Sequence, residues 1–338
     1  MIFSSYTLSK LNRPPEEINC ENWPLPFHET YSRFQLAVTG QHILFAQDEE
    51  SDAILPIQVV KNILLRQGRI VFAPVCRGKE LTQDEQSVFF HRLGKALLKS
   101  GTIDRFLQPH PIGMTLSVPH ASKSVPFGTY INYLQNHTDE AALLDSFDPK
   151  YKKAIMHSVQ HRARIDFRES CHTDFYNLYT QTTERANIYR DPEDFFDRAR
   201  QILTSDRCLT GVVYDEEGPV GGLFIVYTKY AAFCTHAGSC GRNSKIYGAM
   251  KHLHYEAMKS MRTAGVIRYD LVGVRISSSN ERLAGVFRFK KGFGGELKQG
   301  YLWKKDIHEY PAKLYDFIQK IRRVTKHADI IDQENPLP

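Results

Sequence analysis

Nothing in this chain approaches the roughly 20 consecutive apolar residues that a membrane span requires, so no crossing of a bilayer is expected. Met1 to Pro15 lacks the basic segment followed by an apolar run that marks an export signal, and a cytoplasmic location is expected. Six cysteines (Cys20, Cys76, Cys171, Cys208, Cys234 and Cys240) are widely scattered and contain no Cys-x-x-Cys pair, a pattern that suits reduced thiols. There is no G-x-S-x-G elbow and no G-x-x-x-x-G-K-[ST] loop, so serine-hydrolase and P-loop chemistry lack support. Low-complexity sequence is confined to a polar tail, Asp332 to Pro338, where disorder is expected.

What is present is ample apolar material. With 338 residues, 42% of them hydrophobic and 12% aromatic, the chain can bury two domain cores. Its 44 Lys+Arg against 38 Asp+Glu give a formal charge of +6, compatible with an RNA, nucleotide or anionic-membrane partner without requiring one.

The first half reads as a β-meander, with strands Ile43–Ala46, Ala53–Val60 and Arg69–Ala73 separated by polar turns. Thr82 and Glu85 have capping-box spacing and open a helix with Val88, Phe89, Leu93, Ala96 and Leu97 on one face, ended by Gly101. Extended segments follow at Met114–Val118 and Thr129–Leu134. After a helical stretch from Asp139 to Leu203, the second half repeats the order. Strands Leu209–Tyr214, Pro219–Tyr227 and Ala231–His236 lead to a helix over Tyr247–Ala264 stopped by Gly265, then a strand at Tyr269–Val272. Meander, helix and strand, occurring twice, is similar to the acetyltransferase (GNAT) fold in tandem. The expected class is therefore α/β with mixed sheets: residues 1–147 as one GNAT-like domain, 148–310 as a second, and 311–338 as a C-terminal helix and tail. That last helix carries Leu314, Phe317, Ile318 and Ile321 on one face with Lys320, Arg322 and Arg323 nearby, a stripe suited either to an anionic membrane surface or to its own domain.

The most distinctive segment is Tyr269-Asp270-Leu271-Val272-Gly273, followed by a helix capped by Ser278 or Ser279 and ending Phe289-Lys290-Lys291-Gly292-Phe293-Gly294-Gly295. It resembles the Y-D-x-x-G … F-K-x-G-F-G-G signature of the FemABX proteins, aminoacyltransferases that build peptidoglycan side chains. Asp148 to Ile155, continuing to Arg162 and Arg164, is similar to that family's basic helix, and Phe175-Tyr176 to Arg185 resembles its F-Y-x-L-Y helix. Pro74 to Gly78, with Arg77, partly resembles its Y-x-P-R-G-P stretch. Where the family commonly has a tyrosine before a small-residue turn, this chain reads Phe233-Cys234-Thr235-His236-Ala237-Gly238-Ser239.

The resemblance implies transfer of an amino acid from aminoacyl-tRNA to an amine of a peptidoglycan precursor, with no metal or organic cofactor. It implies that Lys290, after Phe289, sits in the reaction channel; a cation there can stabilise the oxyanion that forms when an amine attacks an ester. Asp270 serves as a base for the incoming ammonium or fixes the turn that follows it. Lys150, Lys152, Lys153, Arg162 and Arg164 are candidate phosphate contacts, with Arg77, His236 and Arg242 as further candidate substrate contacts. An acyl-CoA enzyme is the rival reading, with Gly238 to Asn243 as the candidate pyrophosphate loop. A non-catalytic tRNA- or polysaccharide-binding protein is a third. His157 and His161 have zinc-pair spacing but no evident third ligand.

Overall fold

The computed structural model describes residues 7–9, 21–61, 64–203, 207–242, 246–276, 280–321 and 329–334. Cys20, Asn243, Ser278, Ser279, Arg322 and Arg323 lie outside them. The elements of the first half are β1 (Thr7–Ser9), α1 (Glu29–Thr39), β2 (His42–Asp48), β3 (Ala53–Lys61), β4 (Arg66–Ile70), β5 (Val75–Cys76), β6 (Lys79–Glu80), α2 (Gln83–Ser100), β7 (Arg105–Leu107) and β8 (Lys123–Tyr133). Then come α3 (Glu140–Asp145), α4 (Pro149–Gln160), β9 (Arg164–Asp166), α5 (His172–Ala186), α6 (Glu193–Leu203), β10 (Cys208–Asp215), β11 (Gly218–Tyr227) and β12 (Ala232–Ser239). The chain continues with α7 (Ala249–Thr263), β13 (Arg268–Asp270), α8 (Glu281–Lys291), β14 (Glu296–Asp306), α9 (Glu309–Ile321) and α10 (Ile330–Glu334).

One motif is built twice. In the first half the antiparallel meander β2-β3-β4 is followed by α2 and by β7, which pairs parallel to β4. In the second, β10-β11-β12 is followed by α7 and by β13, parallel to β12. This is the tandem GNAT-like arrangement expected. Two strands join the copies. β8 lies between β13 and β14, antiparallel to both, and the far end of β14 pairs with β7 through Lys305 and Asp306.

The local reading of α2 holds in detail. Thr82 accepts from the Glu85 N–H while the Glu85 carboxylate takes the Thr82 N–H, and Gly101 closes the helix at φ 60°. Elsewhere the boundaries moved. The third strand runs Arg66–Ile70, through the expected turn; Val71 keeps one hydrogen bond to Pro56 at 3.1 Å, and Phe72 and Ala73 continue into the core. Met114–Val118 is not a strand; only Thr115 bridges, to Tyr301. The stretch from Asp139 to Leu203 is four helices interrupted by β9. Asn280 caps α8, its side chain accepting from the N–H groups of Arg282 and Leu283. The expected disordered tail begins with α10 instead, because Ile331 is fully buried beside Met114, Val125, Phe127 and Leu302. The stripe on α9 is left facing solvent, with Phe317 61% and Ile321 64% exposed.

The core does not stop between the halves. Trp23, Phe27 and Phe72 belong to one buried cluster with Phe175, Tyr230 and Phe233, and Phe72 meets Tyr230 and Phe233 edge-on at 6.2 and 5.9 Å. The turn between α8 and β14 is fixed by close approach. Gly294 has φ +71°, and a Cβ there would stand 1.9 Å from the Ser146 carbonyl oxygen. Gly295 is crowded likewise, 2.6 Å from the Ile131 carbonyl oxygen. Gly294→Ala is therefore expected to lower unfolding free energy by about 2–3 kcal/mol, read as a shifted urea midpoint at unchanged slope. An unshifted midpoint would mean that the turn relaxes freely.

Candidate active site

The Asp270 turn is built by a strand that ends abruptly. β13 lasts three residues, after which Val272 adopts φ 44° and Gly273 φ 70°. A β-branched residue in the left-handed region is strained, and such conformations persist only where the surroundings hold them. Here they do. The buried Asp270 carboxylate accepts the Val272 N–H at 2.7 Å and the Thr129 hydroxyl, while the Lys290 ammonium donates to the carbonyl oxygens of Val272 and of Gly273, the latter at 2.7 Å.

Burial decides the charge state of both groups. It draws the Lys290 pKa down to about 8, although Cys234 and Asp270 favour its charged form. Burial also pushes the Asp270 carboxyl above the usual carboxylate range, against the hydrogen bonds from Thr129 and Val272 and the nearby charges of Lys298 and Lys290. Beside them His254, buried and bonded to the Tyr269 hydroxyl at 3.0 Å, is held down to about 3 by desolvation and by the charge of Lys290. Cys234 is pushed up to about 11 by burial, which makes it an inert thiol. The Phe289 ring packs on Phe293, His254 and Tyr151 at 5.2, 5.7 and 6.2 Å and walls this layer.

Asp270 opens on a narrow cleft between the two halves, lined also by Thr129, Glu80, Tyr230, Arg268 and Lys298. Strand pleat explains the set. Arg268 and Asp270 are two apart on β13, and Asp270 stands opposite Ile131 of β8, two from Thr129, which in turn faces Lys298 of β14. Glu80 reaches in from β6, taking the Tyr230 hydroxyl at 3.0 Å, Arg268 at 3.3 Å and the Lys298 ammonium. The Arg268 guanidinium lies 3.9 Å over the Tyr230 ring. Lys290 does not line this cleft; it lies behind the turn that carries Asp270.

Of the other residues named as candidate catalytic or substrate contacts, none lines the cleft. Lys150, Lys152 and Lys153 ride on α4, where Lys152 pairs with Asp145 at 3.0 Å. Arg162 and Arg164 lie past the end of that helix, so they do not extend its basic face; Arg164 pairs with Asp166 and covers the Tyr214 ring at 3.9 Å. Arg77 is exposed and pairs with Asp52, and Arg242 pairs with Asp215 and Glu217. His236 bonds Asp191 at 3.2 Å inside an aromatic shell of Tyr179, Phe195, Phe196 and Phe224. The rings of His157 and His161 lie 4.0 Å apart, tilted by 36°. Sequence reasoning passed over Arg268, Lys298, Thr129, Glu80 and Tyr230; only Arg268 had a signal, its two-residue spacing from Asp270 on a strand.

Two copies of the meander, helix and parallel strand, joined by β8 and β14 around a cleft, define a tandem GNAT-like protein. Residues 200–318 match the model of the FemAB family. Among solved structures, FemX superposes with a TM-score of 0.62 at 12% identity, covering 94% of this chain and 96% of that one. The C-terminal DUF2156 domain of a lysylphosphatidylglycerol synthetase candidate from Agrobacterium fabrum superposes with a TM-score of 0.50 at 12% identity, covering 85% of this chain and 91% of that one. No curated protein sequence matches. The family match bears out the FemABX resemblance and indicates an acyltransferase, and the superpositions show the shared fold. Among the described residues no helix is long and apolar enough to cross a membrane.

Proposed function

We propose that this chain, in the cytoplasm, transfers an amino acid from aminoacyl-tRNA to an amine of a peptidoglycan precursor, with the division at 147/148 separating its two units. The observation that carries the reading is the strained turn at Asp270 to Gly273, braced from behind by Lys290 and open in front to a cleft between the halves. In such a reaction the acceptor nitrogen bonds to the ester carbonyl carbon, the C–O bond to the ribose breaks, and the departing hydroxyl gains the proton that the amine loses. The donor is already activated, so the protein's task is positioning and charge stabilisation. Asp270, with its raised pKa, is the base that receives the ammonium proton. Lys290 donates to the Val272 and Gly273 carbonyl oxygens from behind the turn, so its charge, screened from water by Phe289, acts on the developing oxyanion through that turn and not by a direct hydrogen bond. Lys150, Lys152, Lys153, Arg162 and Arg164 are assigned to phosphates, of a nucleotide-linked acceptor or of the tRNA, and Arg77, His236 and Arg242 remain candidate substrate contacts.

One observation disfavours acyl-CoA as donor. The Ser239 N–H is bonded to the Thr182 hydroxyl at 2.8 Å and the Cys240 N–H to the Val220 carbonyl at 2.9 Å, so neither is free to cradle a pyrophosphate. Transfer from radiolabelled aminoacyl-tRNA, measured beside acyl-CoA consumption on the same preparation, tests the reading. Consumption of acyl-CoA without aminoacyl transfer would sink it.

The pH profile gives a sharper test. A Lys290 that must be charged loses its proton as pH rises through about 8, so kcat/KM is expected to show an alkaline limb there. Lys290→Arg, charged throughout, should move that limb upward while retaining measurable turnover. An identical limb in both proteins would exclude Lys290 as its source.

A further inference from the structure

A groove of about 480 Å3 runs beside α2, remote from the cleft. One wall is the α2 face that carries Ser87, His91 and Lys95; the other is the segment ending at His120, and Lys305 of β14 closes one side. Gly94 keeps the helix wall open, since a Cβ there would meet nothing within 4 Å. Among the described residues no aspartate or glutamate lines the groove.

Its cations are uncompensated. Lys305 is only part-exposed, and its ammonium donates to the His120 carbonyl at 2.6 Å. Among the described residues neither Lys305 nor Lys95 forms an ion pair. Burial alone draws the Lys305 pKa below that of a free lysine, the mark of a cation lacking an anion. A ligand anion would relieve that penalty. The wall from Ser87 to Leu98 is about 16 Å long at 1.5 Å per residue, enough for more than one phosphate. Position matters too. Lys298 lines the candidate active site and Lys305 lines this groove, seven residues apart on one strand, hence about 23 Å along it and on opposite faces of the sheet. A ligand touching both is long and passes around the sheet.

We propose that this groove binds the phosphodiester backbone of an RNA, with Lys95 and Lys305 contacting phosphates and His91 and His120 at the rim. The inference rests on the RNA-donor reading above and extends it, because it assigns the RNA body to a groove between α2 and the end of β14, away from the reacting ester.

The test is fluorescence anisotropy of the full chain with a labelled, non-aminoacylated RNA hairpin bearing a single-stranded 3′ end, across a potassium chloride series. Lys95→Gln/Lys305→Gln is expected to bind at least about tenfold more weakly at low salt, with a log–log salt slope shallower by about 1.5–2. Lys291→Gln, on α8 and outside the groove, should leave binding within about twofold of the wild type. Equal affinity and slope in the wild type and the double variant overturn the inference, as does a wild type that binds no RNA. Transfer assays separate the two failures. If RNA binding depends on the two lysines but aminoacyl-tRNA is not a donor, the reaction reading falls and the groove stands. If aminoacyl-tRNA is a donor and the double variant keeps its KM, the groove falls and the reaction stands.

Discussion

Lys290→Met is expected to lower the rate of aminoacyl transfer by about two to three orders of magnitude, the usual loss when one preorganised electrostatic contribution to the oxyanion is removed from a water-poor site. Lys291→Met, the next residue on the same helix, should stay within a few-fold of the wild type. Both variants change net charge equally, so the comparison controls for loss of basicity. Methionine keeps the long apolar stem, but the fold will register the change. The Val272 and Gly273 carbonyl oxygens lose their donor, which costs about 1–3 kcal/mol for a buried group left unpaired, offset by removal of a buried charge. The two contributions differ in pH dependence. Lys290 has a folded pKa near 8, below its ordinary 10.5, so the unfolded chain binds more protons between those values and wild-type stability rises with pH there. Lys290→Met should lack that rise. Equal, small effects of the two substitutions on transfer, with matching melting curves, would reduce Lys290 to a brace for the turn.

The parts of this architecture written locally were open to reading from residues alone. The Thr82–Glu85 capping box, the meanders and the glycine turn at Gly292 to Gly295 each depend on neighbours a few positions away. The Phe289–Lys290 pair belongs to the same local signature, and the structure puts Lys290 at the turn that ends in Gly273. What escaped was non-local. β7, β9 and β13 are three residues each, too short to show a period, and they exist because longer strands present an edge to them. The cleft draws Glu80, Thr129, Tyr230, Arg268 and Lys298 from five separate segments. Only the insertion of β8 between β13 and β14 brings Thr129 to Asp270, and nothing in the spacing of positions 129 and 270 announces that contact. Conversely, the basic run from Lys150 to Arg164 looked continuous in sequence, yet the chain turns at Arg162, with φ 54°, and Arg164 is taken into a strand.

Glu80→Gln is expected to be the most destabilising single substitution at the cleft, by about 3–5 kcal/mol, because it removes the anion from a cluster that holds the two halves together. Glu80 comes from β6, whereas Tyr230 and Arg268 belong to the second half and Lys298 to the strand that joins them. The side chains of Glu80 and Arg268 are only 14% and 16% exposed, so water cannot replace the lost partner. Burial works to raise the Glu80 pKa, but Lys298 and Arg268 together outweigh it and hold the carboxylate below its ordinary 4.5. The sign of the pH dependence follows. A depressed folded pKa contributes stability that is present above the unfolded value and is lost as pH falls through the folded one. Urea unfolding followed from neutral pH into the acid range should therefore show a loss of stability in the wild type that Glu80→Gln lacks. Because the cluster bridges the halves, the variant is also expected to unfold less cooperatively, with a smaller dependence on urea concentration. Glu80→Gln/Arg268→Met discriminates a bridge from general damage at this position, since it removes an unpaired cation along with its partner. It should recover part of the lost stability, through a coupling energy that neither single variant reveals. Strict additivity of the two substitutions, with an acid limb unchanged from the wild type, would show that Glu80 fills the cleft without bridging it.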